Sequence, residues 1–537
     1  MAKRRKYFEL NEPLRHSHRP MTRRGFISQG FATGMGSLLG VSALSVLSGK
    51  ANAISPAMLG GFTPGTSCDL ANVAGRKIPF ICFDLAGGAN ISGSNVLVGG
   101  PGGQQDFLST AGYSKLGLPG DMIPSIVDTV TGNSDFVNEA LGLAFHSDSA
   151  MLRGILASAS SVATQTGTNG AVIPCRSDND TGNNPHNPMY GIYRAGAKGK
   201  LLQLIGSQTS ESGGNSMAAA AMIDPQARPT KIDRPSDVIG LVDVGDLSTV
   251  LPDSEDVVAV LESMKQITDQ KLGQVDTQLG STKDLELKQR ISCEYLKSAD
   301  SFEKFSDPSA LDPNPSADSN IASIFTQAEF DNDREFRKTA SVMKMVIDGH
   351  AAAGTITMGG YDYHTGDRVT GELRDERAGR CIGACLEYAQ LVDTPVMIYV
   401  FSDGSVASNG QLDMNLAIPK GQWTGDNSST GASFFLVYNP SGRPQLNTST
   451  GLDAFQHQQI GYMRPDASVE TSANAIANSV DTLAEAVVLN YMALHGSNDI
   501  SQFDAVGSIF ADSNKKHGLG TDLDRYIAFE PIVDGTL

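Results

Sequence analysis

Lys77-Ile78-Pro79-Phe80-Ile81-Cys82-Phe83-Asp84 is the stretch on which the fold turns, together with Gly87-Gly88-Ala89-Asn90 and the glycines that continue to Gly102-Gly103. A short apolar run without polar alternation is the pattern of a strand buried on both faces. A carboxylate and then glycines at its end are how such a strand feeds a functional loop. The glycines lack the G-x-G-x-x-G spacing and a following helix, so no nucleotide cradle is expected. Further apolar runs at 201–205, 238–244, 354–358, 395–401 and 433–438 predict strands.

Helices are predicted between them. Val257, Val260, Leu261, Met264 and Ile267 recur at helical spacing, as do Phe336, Ala340, Met343 and Ile347, closed by Gly349; residues 378–392 read as a third helix. The alternation predicts an α/β fold, a mostly parallel sheet covered by helices on both faces. Residues of about 253–306 read as a helical insertion, and 306–319, rich in Pro, Ser and Asp, as a linker within a domain spanning 54–537.

The 537 residues carry 41 Lys+Arg and 59 Asp+Glu, a net charge of −18. The first 53 residues hold nine of the basic and two of the acidic side chains, so the remainder keeps 32 and 57, a net of −25. Such a body repels polyanions, and no nucleic-acid partner is expected. Thr22-Arg23-Arg24-Gly25-Phe26-Ile27, the apolar Gly/Ala/Ser-rich stretch from Phe31 to Leu47, and the small-x-small site Ala51-Asn52-Ala53 read as a twin-arginine (Tat) signal peptide over 1–53. The expected partner is the Tat translocon, and the expected destination is the periplasm or beyond. The apolar stretch is too diluted and short for a spanning helix, and the mature chain contains no run long enough for a permanent membrane span.

The six cysteines are too sparse to form a disulfide framework. Cys381 and Cys385, one helical turn apart, read as small core residues. His495, at the end of the helix carrying Val480, Leu483, Val487 and Tyr491, reads as a partner for the helix dipole.

Ligands of open α/β sheets bind beyond the carboxyl ends of the strands, which points to Asp84, to Asp362 and His364 after the 354–358 strand, and to Asp403 after the 395–401 strand. Asp362 and His364 are two apart, so in an extended stretch both project to one side and can share a divalent ion. Carboxylates with one or two imidazoles suit Zn, Mn or Mg. The competing reading is that these residues cap turns and hydrogen-bond within loops.

The signal, the strand ending in Asp84 with Gly87-Gly88 after it, Gly359-Gly360-Tyr361-Asp362-Tyr363-His364 and Val400-Phe401-Ser402-Asp403-Gly404 together resemble an uncharacterised family of Tat-exported proteins in the alkaline phosphatase and sulfatase-like superfamily. The resemblance implies an alkaline-phosphatase-like fold and a two-metal or related centre hydrolysing phosphate or sulfate esters. Asp84, Asp362, His364 and Asp403 would then be metal ligands, with His186 and His457 as further imidazoles and Thr181 or Ser177 as the attacking hydroxyl. The departures are specific. Tyr361 and Tyr363 replace the family's Trp and Thr; Asn183-Asn184-Pro185-His186 stands where Ser-Arg-Ser-His is typical; Asp403 is followed by Gly404 where phosphatases carry His. The rival is a non-catalytic binding or assembly protein that keeps the sheet and serves secretion or a surface structure with a co-exported partner.

Overall fold

The computed structural model describes residues 77–125, 136–177, 184–242, 254–292, 308–363, 366–448, 451–496 and 524–533, apart from 279, 282, 286 and 290. The signal segment with Arg23, Arg24, Ala51 and Ala53, and also Thr181 and His364, lie outside the described residues. Contacts divide the chain into two units: Asn72–Asp243 with Asp307–Leu537, and Met1–Ala71 with Val244–Ser306. In the second, Ser254–Gly273 is a helix of 20 residues.

The first unit is built on strands β1 (Phe80–Ala86), β2 (Val137–Asn138), β3 (Phe145–His146), β4 (Thr168–Pro174), β5 (Leu202–Gly206), β6 (Thr230–Lys231), β7 (Ala351–Gly359), β8 (Val396–Phe401), β9 (Val406–Asp413), β10 (Lys420–Asp426) and β11 (Ala432–Tyr438). Seven of them form one sheet in the order β4-β11-β8-β1-β7-β5-β6. Neighbours from β8 through β6 pair in parallel, and β11 is antiparallel to both β8 and β4. β1 lies in the centre with all seven residues buried, as a strand covered on both faces requires.

The main helices are α1 (Ala150–Ser158), α2 (Met189–Arg194), α3 (Arg334–Ile347), α4 (Arg368–Leu391) and α5 (Val480–Leu494). Phe80 and Cys82 point to a core shared with α2, α5 and the 526–529 segment. Strand alternation sends Ile81 and Phe83 to the opposite face. There α3 lies over β7, where Val342 and Val346 crowd the hydrogen of Gly354. The α/β architecture with a mostly parallel sheet and helices on both faces is therefore present. Among the described residues no helix is long and apolar enough to cross a membrane.

Two expectations change. Residues 238–244 were predicted as a strand, but Pro235–Ile239 is a short helix with Pro235 in its first turn, where proline's fixed φ is favourable, and residues 243–244 lie outside the described residues. His495 sits at the end of α5 as expected, but it is neutral. Its Nε2 accepts from the Ile78 N–H at 2.9 Å, its Nδ1 lies 2.7 Å from the Tyr491 carbonyl, and burial pushes its pKa down to about 4. It is a hydrogen-bond bridge rather than a cation on the helix dipole.

The β9–β10 hairpin is tied to the body by charge. Buried Lys420 lies 2.9 Å from Asp148 and 3.0 Å from Glu372 of α4, while Arg368 bonds Glu372 at 2.9 Å and covers the Trp423 ring at 4.1 Å.

Candidate functional site at the carboxyl rim of the sheet

The strand ends meet around the turn that follows β1. Gly87 and Gly88 hold φ of 124° and 115°, values that L side chains rarely adopt. Gly87 is also forced by proximity, since a Cβ there would lie 2.6 Å from the Asp362 nitrogen. The Ser402-Asp403 pair after β8 grips this turn. Ser402 Oγ accepts from the Ala89 N–H at 2.8 Å and donates to the Leu85 carbonyl at 2.7 Å; Asp403 Oδ1 accepts from the Gly87 N–H at 2.7 Å.

Asp84 is fully buried, and protein donors surround its carboxylate. Oδ2 accepts from the Asn215 and Ser216 N–H groups at 2.7 and 2.9 Å and from Thr357 Oγ1 at 3.3 Å; Oδ1 accepts from Ser216 Oγ at 2.9 Å. Three bonds saturate Oδ2, and Oδ1, with one, keeps a second acceptor position. Gly214 lets the loop approach, because a Cβ there would lie 2.7 Å from Asp84 Oδ2. Burial raises the Asp84 pKa against the pull of these donors. Asp403 is pushed up to about 6, first by burial, with the nearby Asp84 charge adding to it.

On the other side of Asp403 lies a buried Ser–His pair. Ser177 Oγ donates to the Asp403 carbonyl at 3.1 Å and lies 2.8 Å from His186 Nε2, and Asn184 Nδ2 donates to the same carbonyl at 2.8 Å. The His186 ring stacks on Phe401 with centroids 5.6 Å apart, and its buried Nδ1 has no hydrogen-bond partner. Burial lowers its pKa to about 3, so the ring is neutral.

The structure thus gathers Asp84, Asp403, His186 and the main chain of Asp362 at one rim. The Asp362 residue is exposed. His457 lies elsewhere, buried in the Ala454–Gln458 helix beside edge strand β4, with Nδ1 2.7 Å from the Ile527 carbonyl. Among the described residues no three His, Cys, Asp or Glu side chains form a group able to hold a metal ion. At Asp84 three donors occupy Oδ2 and Ser216 Oγ engages Oδ1, and His364 lies outside the described residues. Sequence reasoning missed the Asp84 cap; its only signal is the small polar and glycine run Ser210-Glu211-Ser212-Gly213-Gly214-Asn215-Ser216.

No family model, no curated protein and no solved structure matches this chain.

Proposed function

We propose that this chain is an exported protein on an alkaline-phosphatase-like sheet that works by binding, with its strand-end carboxylate given over to structure. One observation carries the reading. Asp84, the first ligand that the resemblance would assign, is enclosed and has its Oδ2 filled by Asn215, Ser216 and Thr357 and its Oδ1 bonded to Ser216 Oγ. A carboxylate so held supports the sheet and offers little to an ion. The export half rests on Arg23-Arg24 and Ala51-Asn52-Ala53: the Tat translocon delivers a folded protein to the periplasm or beyond. There a co-exported protein partner, within a secretion or surface structure, is the occupant we favour.

Ester hydrolysis is the second reading, favoured by Ser177 Oγ lying 2.8 Å from His186 Nε2. An activated hydroxyl needs such a contact with its proton turned to the imidazole, whereas here Ser177 gives its proton to the Asp403 carbonyl. Here Ser177 or Thr181 would attack a phosphate or sulfate ester, and Asp362, His364 and Asp403 would hold Zn, Mn or Mg, whose chemistry is to neutralise the ester oxygens. The burial that lowers the His186 pKa also makes it a weak base, which ranks this reading second. Elemental analysis of the full chain folded in the cytoplasm, run beside aryl phosphate and aryl sulfate assays, separates the two. Binding predicts no turnover and no metal that depends on Asp362 or His364. Stoichiometric metal and hydrolysis, both lost in the Asp362→Ala, His364→Ala double variant, would overturn it.

A further inference from the structure

Three strands across from β1, at the same rim, the sheet ends in a cavity of about 310 Å³ lined by Lys231, Asp233, Arg234, Arg334 and Arg337. Every lining residue is charged, four of them positively, in a chain whose net charge is −18. They come from three elements. Lys231 ends edge strand β6, Arg234 precedes the Pro235–Ile239 helix, and Arg334 and Arg337 lie in the first turn of α3.

The charges inside the cavity do not balance. Asp233 Oδ2 lies 3.1 Å from both Lys231 Nζ and an Arg334 nitrogen, and Arg234 Nε is 3.3 Å from Asp237. Arg337 is held by the carbonyls of Phe330 and Asp331 rather than by a carboxylate. Glu335, next to Arg334 on the same turn, is engaged by Lys338 at 2.6 Å. Two carboxylates therefore face four cations. Gathering like charges is unfavourable unless an anion completes the set.

The one carboxylate of the cavity organises these cations. Asp233 is 7% exposed, and its Oδ1 is buried with no hydrogen-bond partner; the nearest cation, Arg234 Nε, stands 3.8 Å away. Asp233 therefore holds Lys231 and Arg334 in place through its Oδ2, and its enclosed Oδ1 is out of a ligand's reach. Guanidinium forks match phosphate oxygens in spacing and planarity. A cavity of this volume is several times larger than a water's share of liquid, about 30 Å³, so a bare phosphate would leave it partly empty. Its place beyond the ends of β5 and β6 is where open α/β sheets take ligands.

We propose that this cavity binds a soluble phosphate ester, with Arg234, Arg334, Arg337 and Lys231 on the phosphate and the rest of the ester filling the remaining volume. The inference stands whether the Asp84 rim binds or hydrolyses, because it shares no residue with it.

Calorimetric titration of the full chain at low ionic strength, with glucose 6-phosphate, inorganic phosphate and glucose as probes, tests it. Glucose 6-phosphate should bind more tightly than inorganic phosphate, glucose should give no signal, and added salt should weaken the complex. The Arg334→Gln, Arg337→Gln double variant should lose affinity at least about tenfold while still unfolding in one cooperative transition. If that variant fails to fold, Arg334→Gln alone carries the test, since the Arg334 side chain is 66% exposed. Wild-type affinity in the folded variants, equal binding of glucose, or no binding of either phosphate at millimolar concentration would overturn the proposal.

Discussion

Asp84 and Asp375 are both buried carboxylates, and they differ in what their oxygens meet. Asp84 has four donors, whereas Asp375 Oδ2 accepts only from Asn95 Nδ2 at 2.8 Å and its Oδ1 has no partner. Burial, with Glu372 nearby, therefore raises the Asp375 pKa to about 7. Because the folded value lies above the unfolded one, the native state binds the extra proton between about pH 4 and 7, and stability falls as pH rises through that window. Asp375→Asn has no proton to lose. It should match the parent at pH 4 and exceed it by up to about 4 kcal/mol at pH 8, as read by chemical denaturation at the two pH values. An equal difference at both would contradict the assignment. At this scale the sequence was half legible. A carboxylate at the end of an apolar run announces Asp84, but its partners Asn215 and Ser216 lie more than a hundred positions away, and no local pattern links them.

Periodicity was the readable signal for elements, and it worked where one pattern dominated. Phe336, Ala340, Met343 and Ile347 all lie buried on α3 as their spacing predicts. The strands around 354–358, 395–401 and 433–438 appear as β7, β8 and β11. It failed where polar residues occupy regular structure. α4 begins ten residues before the expected start at 378, because its first turns, Arg368-Val369-Thr370-Gly371-Glu372-Leu373-Arg374-Asp375, carry the buried ion pairs rather than an apolar stripe. β4 opens on Thr168-Asn169-Gly170, which breaks its apolar run, and it is not among the predicted strands. The α1–α4 crossing is also hidden in sequence. A Cβ on Gly379 would lie 2.0 Å from the Met151 carbonyl oxygen, and one on Gly154 2.0 Å from that of Glu376. Alanine normally gains about 1 kcal/mol over glycine inside a helix. Here backbone meets backbone, so Gly379→Ala should instead destabilise by about 2 kcal/mol or more, measured by urea denaturation. A stabilised variant would show that the helices are not in contact there.

For the whole molecule, composition and the order of apolar runs indicated an acidic α/β protein, while the division into units depends on contacts that composition does not encode. The Pro235–Ile239 helix packs against the Pro308–Leu311 turn, so described residues that flank 244–306 meet on the sheet-bearing unit. Excising 244–306 and joining Asp243 to Asp307 through a short Gly/Ser linker should leave that unit folded. The chain's one tryptophan reports on it, because Trp423 is 1% exposed beneath Arg368. Its fluorescence should stay blue-shifted and be lost in one cooperative transition; red-shifted emission before denaturation would show that the segment is needed for folding. The ends of the sheet matter in a different way. β6, at one border, is two residues long and finishes in Lys231, while β4, at the other, is covered where the Ile460 N–H donates to the Val172 carbonyl at 2.9 Å. Among the described residues one border is therefore short and the other is interrupted at Val172. Crowding many copies together should therefore give clear solutions rather than fibrils.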